Sequence, residues 1–351
     1  MSLSKPLLAW FAKHKRDLPW RLEPREPYRV WISEVMLQQT RVDVVVPYYT
    51  RFLTRFPTLR SLAEAPLDDV LAHWSGLGYY SRARNLHRAA QEALARFGQL
   101  PRSLDDLHSL PGFGPYTAAA VASLSMGIDA ALVDGNVARV FARLFALEGS
   151  AEAVREQTWE FAPHELPKGK AGVFNEALME LGATVCTPRS PSCDRCPLKA
   201  QCKAFALGDP ERFPPPKVKK ARPIVRWSAV ALRDPQGRVL LARHTQGSLF
   251  EGLWALPFAE QDADHDAPKA AREALRKRKL TIPRTLTHTA DVAQTLTHRE
   301  LQVAVFTSTS RAIPLVDDAL RWVEPTRTAL AKVGLSSLAK KTLAACDIPA
   351  P

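Results

Sequence analysis

Along the first two-thirds of the chain, apolar residues recur at helical spacing. Val30, Trp31, Val35, Leu37 and Val42 mark one amphipathic stretch, and Leu62, Val70, Leu71 and Trp74 a second. Ala89, Ala90, Ala93 and Leu94 belong to a third, and the helical pattern resumes over 137–147 and 174–185. Short turns separate these runs at Pro57, Pro66, Gly76-Leu77-Gly78, Gly98, Pro101 and Pro111-Gly112. Beyond Phe213-Pro214-Pro215-Pro216-Lys217-Val218-Lys219-Lys220, a proline-rich and basic stretch that reads as an extended linker, the period changes. Residues 224–232 and 239–242 flank an Asp234-Pro235-Gln236-Gly237 turn and predict a hairpin. A helix over 270–279 and a strand over 301–307 follow. The pattern predicts a multidomain protein: an all-α domain over 1–212, a linker over 213–223, and a smaller α+β domain over 224–351.

Length agrees, because 351 residues exceed one ordinary hydrophobic core. Apolar residues make up 46% and charged residues 24%, which describes a globular chain and excludes a disordered or fibrous one. No apolar run approaches the roughly 20 residues that span a bilayer. Lys5, Lys13, Lys15, Arg16 and Asp17 interrupt the start, so it does not read as a secretory signal. The expectation is a cytoplasmic protein with no membrane partner. A net charge of +12 suits a polyanion, since Lys and Arg displace the counterions condensed on phosphates. Residues 1–212 carry 26 basic and 23 acidic side chains, and residues 213–351 carry 22 and 13, so most of the excess lies in the second part.

Four of the five cysteines, Cys186, Cys193, Cys196 and Cys202, follow one another as C-x6-C-x2-C-x5-C. In a reducing compartment such a group is a metal site, and four thiolates suit either a structural zinc or an iron–sulfur cluster. Upstream, Leu110-Pro111-Gly112-Phe113-Gly114 joins two helical runs. Without Cβ atoms at Gly112 and Gly114 the backbone can approach a phosphate, and the next helix offers it free N–H groups.

Two carboxylates stand out. Glu34 lies in Val30-Trp31-Ile32-Ser33-Glu34-Val35-Met36-Leu37, apolar on nearly every helical face, so desolvation is expected to raise its pKa. Asp134 precedes a helical run and suits an N-cap, where the helix terminus favours its ionised form. One carboxyl held protonated and one held ionised is the division of labour that glycosidic-bond cleavage requires.

The glycine hairpin followed by Val133-Asp134-Gly135-Asn136-Val137 resembles the helix-hairpin-helix glycosylases of base excision, across about residues 1–205. Their cysteine spacing is also six, two and five, and it implies a 4Fe–4S cluster here. The segments 30–40 and Gly76-Leu77-Gly78-Tyr79-Tyr80-Ser81-Arg82 are similar to MutY-type adenine DNA glycosylases almost residue for residue. That resemblance implies roles for individual residues. Glu34 is the general acid that protonates adenine N7, Asp134 stabilises the oxocarbenium-like sugar, and Asn136 helps position them. Gln39 and Tyr79 wedge into the base stack, offsetting part of the cost of flipping. Arg16, Trp20 and Arg21 line the adenine pocket, and Glu176 contacts the flipped base. Tyr116 stands where lyase relatives carry a Schiff-base lysine, and having no amine it cannot form one. In the adenine branch a tyrosine here can hydrogen-bond the catalytic aspartate.

Residues 224–345 resemble the Nudix-like domain with which these enzymes inspect the base opposite adenine. Arg272-Glu273-Ala274-Leu275-Arg276-Lys277 puts cations where a Nudix hydrolase needs carboxylates for magnesium, so nucleotide hydrolysis is not expected. Leu296-Thr297-His298 takes the place of a Phe-Ser-His turn, leaving Thr297 and His298 as the residues expected to read 8-oxoguanine. The implied partner is double-stranded DNA with 8-oxoguanine:A or G:A mispairs, bound by a monomer. Two rival readings are an oxidised-pyrimidine glycosylase with lyase activity, which Tyr116 opposes, and a non-catalytic damage sensor, which Glu34 and Asp134 oppose.

Overall fold

The computed structural model describes residues 2–215, 221–262, 264–310 and 318–350. Residues 216–220 of the expected linker lie outside them. Contacts divide the chain into Met1–Ala63 with Arg88–Lys219, and Glu64–His87 with Lys220–Pro351. The second grouping does not follow chain order, because a segment of the helical stretch packs with the C-terminal part.

In the first unit, the Pro115–Met126 helix begins with Pro at its first position and ends at Gly127, in the left-handed conformation. Its Ala118–Ala122 run is buried, and small side chains let the Pro27–Leu37 and Ala171–Thr184 helices approach closely. Gly172 marks that approach: a Cβ there would stand 2.3 Å from the Ser123 carbonyl oxygen. The Gly135–Phe145 helix packs on Ala171–Thr184 as well, and Phe141, Phe174, Leu178 and Leu181 fill the shared core. The apolar stretch 30–42, continuous in sequence, is broken. One helix ends at Leu37 and the next, Val42–Arg55, begins after an exposed turn.

Among the described residues of the second unit, one sheet holds seven strands: β1 (Ile224–Arg233), β2 (Val239–Arg243), β3 (Trp254–Ala255), β4 (Phe258–Glu260), β5 (Thr287–Thr295), β6 (Glu300–Thr309) and β7 (Leu320–Val323). The expected hairpin of β1 and β2 pairs only at Arg233 and Val239. β1 instead runs parallel to β6 over its whole length, and β2 pairs with β7. Six consecutive buried residues explain this, since a strand covered on both faces belongs inside a sheet. The Ala267–Arg276 helix covers one face through Ala271 and Leu275. The Leu67–Trp74 helix and the turn after it belong here too. Ser75 and Tyr80 both donate to the Leu335 carbonyl, at 2.7 and 3.2 Å, and Arg243 donates to Asp68 at 2.6 Å. No helix among the described residues is long and apolar enough to cross a membrane.

Candidate active site and cluster loop

Arg16, Trp20, Arg21, Glu34, Gln39, Tyr116, Asp134, Asn136 and Glu176 all line one cavity of about 510 Å³ in the first unit. They come from several helices and the loops between them, and packing brings them together.

Glu34 is 4% exposed, on a helix whose Tyr28 to Met36 side chains are mostly buried. Burial pushes its carboxyl up to about 7; the hydrogen bond from Tyr116 pulls the other way, while Asp134 and Glu176 add to the rise. A carboxyl poised there keeps a substantial protonated fraction at neutral pH and can deliver that proton. The Tyr116 hydroxyl donates to Glu34 Oε2 and lies 3.6 Å from Met179 Sδ. This corrects the expectation that Tyr116 bonds the aspartate. Tyr116 opens the Pro115–Met126 helix, which packs on the Glu34 helix, and the Asp134 oxygens already have other donors.

Asp134 caps the Gly135–Phe145 helix: its Oδ1 accepts from the Val137 N–H at 2.7 Å, and its Oδ2 from Asn136 Nδ2 at 2.9 Å. Burial raises its pKa, and the Val137 and Asn136 donors and Arg139 oppose that without reversing it. The cap was expected to favour the ionised form; its donors do pull the pKa down, but burial pushes it up by more. Asn136 is fixed from its other side by Arg139 Nη2, 2.9 Å from Oδ1. Gly182 leaves room for it, since a Cβ there would lie 2.6 Å from the Asn136 Cβ.

The arginines do not simply face the cavity. Arg16 grips Glu180 with Nε and Nη2 at 2.7 and 2.9 Å, and Arg21 reaches both Glu180 and Glu176. Arg25 takes both oxygens of Glu176, at 3.1 and 2.9 Å. Glu176, expected to meet a base, is thus already held by two guanidinium groups. Burial works to raise the Glu180 pKa, but Arg16 and Arg21 hold it below the usual carboxylate range. Sequence reading missed Glu180 and Arg25. The signal for Glu180 was present: like Glu34, it is a carboxylate inside an apolar helix, one turn after Glu176.

Gln39 is exposed with φ 58°, and Tyr79 has φ 48°. Both expected wedges therefore occupy left-handed backbone, which costs a non-glycine residue roughly 1–3 kcal/mol. In the hairpin, Gly112 has φ 77°, which requires glycine. Gly114 is extended, and a Cβ there would point into open space with nothing within 4 Å.

Cys186, Cys193, Cys196 and Cys202 line one chamber together with Arg143. Among the described residues, no three His, Cys, Asp or Glu side chains converge as a single metal ion requires. Four thiols around one chamber are a ligand set that an iron–sulfur cluster takes. Arg143, buried, donates to Cys186 Sγ at 3.3 Å and to the Thr187, Pro188 and Phe213 carbonyls, pinning the loop and placing a cation beside the cysteine sulfurs. Arg139 ties the Cys186 carbonyl at 2.8 Å to Asn136. Native protein should carry about four irons per chain; stoichiometric zinc without iron in metal analysis would overturn the cluster.

In the second unit, Leu296–Arg299 is the turn joining β5 to β6, closed by Leu296 N–H to the Arg299 carbonyl at 2.8 Å. Thr297 and His298 line a cavity of about 430 Å³ with Tyr79, whose hydroxyl lies 2.6 Å from Thr297 Oγ1. Arg82 sits against the Trp74 and Tyr79 rings, 5.4 and 5.5 Å from their centres, and holds the Gly78 carbonyl.

A helix-hairpin-helix built around these carboxylates, followed by a four-cysteine loop, defines a DNA base-excision glycosylase. The HhH-GPD superfamily of base excision DNA repair proteins matches residues 32–164, the iron–sulfur binding domain of endonuclease III matches 186–202, and the NUDIX domain matches 228–345. Human adenine DNA glycosylase is 35% identical over 357 residues, covering 86% of this chain and 65% of its own length. The adenine DNA glycosylase of Buchnera aphidicola subsp. Acyrthosiphon pisum (strain APS) is 35% identical over 259 residues, covering 72% of this chain and 73% of its own. A thermostable thymine-DNA glycosylase structure superposes with a TM-score of 0.53 and 32% identity, over 57% of this chain and 94% of its own. The chain belongs to the adenine DNA glycosylase family. Its cofactor is a 4Fe–4S cluster.

Proposed function

We propose that the protein removes adenine mispaired with 8-oxoguanine or guanine from double-stranded DNA, acting as a monomer and without cutting the strand. The observation that carries this is Glu34: buried, hydrogen-bonded by Tyr116, raised to about 7, and lining the same cavity as Asp134. In this reading Glu34 gives its proton to N7 of the flipped adenine. The C1′–N9 bond breaks with its electron pair moving into the purine, and Asp134 stabilises the cationic sugar. Water then adds at C1′ and releases a proton. Asn136 holds Asp134, and Arg16, Trp20, Arg21 and Glu176 shape the cavity. Gln39 and Tyr79 fill the stack, and Gly112 and Gly114 admit a phosphate. Cys186, Cys193, Cys196 and Cys202 would hold the cluster, whose contribution is to brace the loop that follows the Ala171–Thr184 helix.

The chemistry is assigned to residues 1–212 and the reading of the opposite base to 224–351, joined through 213–223. The packing of 64–87 with the C-terminal part supports counting Tyr79 among the reading residues. Thr297 can accept from the N7–H of 8-oxoguanine, whereas guanine has no hydrogen there, so the distinction is one of hydrogen-bond polarity. The test is incubation with 8-oxoguanine:A and G:A duplexes, then alkali to reveal abasic sites. The expected result is alkali-dependent cleavage with no borohydride-trapped complex. Strand cleavage without alkali, together with efficient trapping, would make the protein a lyase instead.

A further inference from the structure

Few large apolar side chains of the second unit are exposed. Among the described residues these are Tyr79, Leu249 and Ile224, and the first two, 39% and 44% exposed, line the same cavity as Thr297 and His298. Leu249 is not exposed through slackness. Its loop is closed by Gly252 N–H to the His244 carbonyl at 3.0 Å, and the Ser248 hydroxyl donates to the Thr245 carbonyl at 2.6 Å. Phe250 beside it is buried against Trp227 and His244. The chain thus holds an exposed leucine in the lining of a cavity that also carries hydroxyls and an imidazole. About 430 Å³ lined by apolar side chains and a few polar groups suits a planar heterocycle, and Arg222 and Arg299 at the turn suit its phosphates.

We propose that Leu249 packs against the face of the base opposite adenine, while Thr297 and His298 meet its edge. This rests on the assignment of the cavity to opposite-base reading. The two contacts differ in what they sense. Guanine and 8-oxoguanine present nearly the same face and differ at the N7–C8 edge, so a face contact is blind to oxidation and an edge contact is not.

The test uses full-length protein and duplexes of both kinds at one salt concentration, because phosphate contacts are salt-sensitive. Leu249→Ala should weaken binding of 8-oxoguanine:A and G:A duplexes alike, by about fivefold to tenfold. Its melting temperature should match the parent, and Leu249→Met should restore most of the affinity. Parent-like affinity of Leu249→Ala for both duplexes would overturn the face contact, as would a loss confined to 8-oxoguanine. Thr297→Ala with His298→Ala separates the two readings. If that variant keeps the parent preference for 8-oxoguanine, the cavity is not the reading site; if it loses the preference while Leu249→Ala binds normally, only the face contact fails.

Discussion

Glu34→Gln should bind mispaired duplex as the parent does and lose adenine excision by roughly 10²–10⁴-fold, the usual worth of a general acid. Single-turnover rates with a duplex-binding control measure this, and near-parent excision would remove Glu34 from the chemistry. The parent's own pH dependence carries the same information. Since the acid must be protonated, excision should level off below about pH 7 and fall above it, and the Gln variant should lack that limb. Stability responds in the opposite sense for the variant. A carboxyl whose pKa rises from 4.5 to about 7 on folding favours the fold at low pH, and that advantage is lost as pH climbs through 7. The lost amount is roughly 3 kcal/mol. Glutamine never ionises, so the variant should match the parent near pH 4 and exceed it in denaturant melts near pH 9. A buried acid kept for chemistry costs stability at the pH where it works.

Asp134→Asn separates capping from chemistry. Asparagine caps helices about as well as aspartate, so Val137 N–H keeps its acceptor. The amide would meet Asn136 Nδ2 donor to donor, which limits the destabilisation to about 1 kcal/mol. Excision should nevertheless fall by at least roughly 10²–10³-fold, because the neutral amide no longer opposes the charge on the sugar. Asp134→Ala should lose excision similarly and a further 0.5–2 kcal/mol or so with the cap. Parent-like excision by Asp134→Asn with intact melting would show that Asp134 serves only the helix.

The packing of 64–87 bears on how the reading function is examined. Gly334 stands where a Cβ would come within 2.8 Å of Leu71, and Trp74 is fully buried. Deleting the C-terminal part would strip these partners from the segment that carries Tyr79. Point substitutions at Thr297, His298 and Leu249 therefore isolate base reading more cleanly than truncation does.

Glu34 was legible in the sequence because its helix offers no polar face, so a carboxylate there has no solvent to point to. The cysteine loop was legible because ligand spacing survives without knowledge of tertiary contacts, and Asp134 because capping is local. By the same logic Glu180 was within reach. Its role as the clasp of Arg16 and Arg21 was not, since those partners lie more than 150 residues away along the chain.

Periodicity, capping residues, glycine turns and cysteine spacing act over a few residues, so the chain by itself determined its helices, its sheet-forming C-terminal part, its cysteine loop and the two carboxyls that stand out. Tertiary structure decided what depends on which helix faces meet. Tyr116 bonds Glu34 and not Asp134, because the Pro115–Met126 helix packs on Pro27–Leu37. β1 pairs along its length with distant β6 in preference to adjacent β2, and Tyr79 meets Thr297 across 218 positions. Burial then raised both carboxyls, even though one caps a helix. Solvation and close packing are sums over neighbours brought from far along the chain, and no local pattern encodes such a sum.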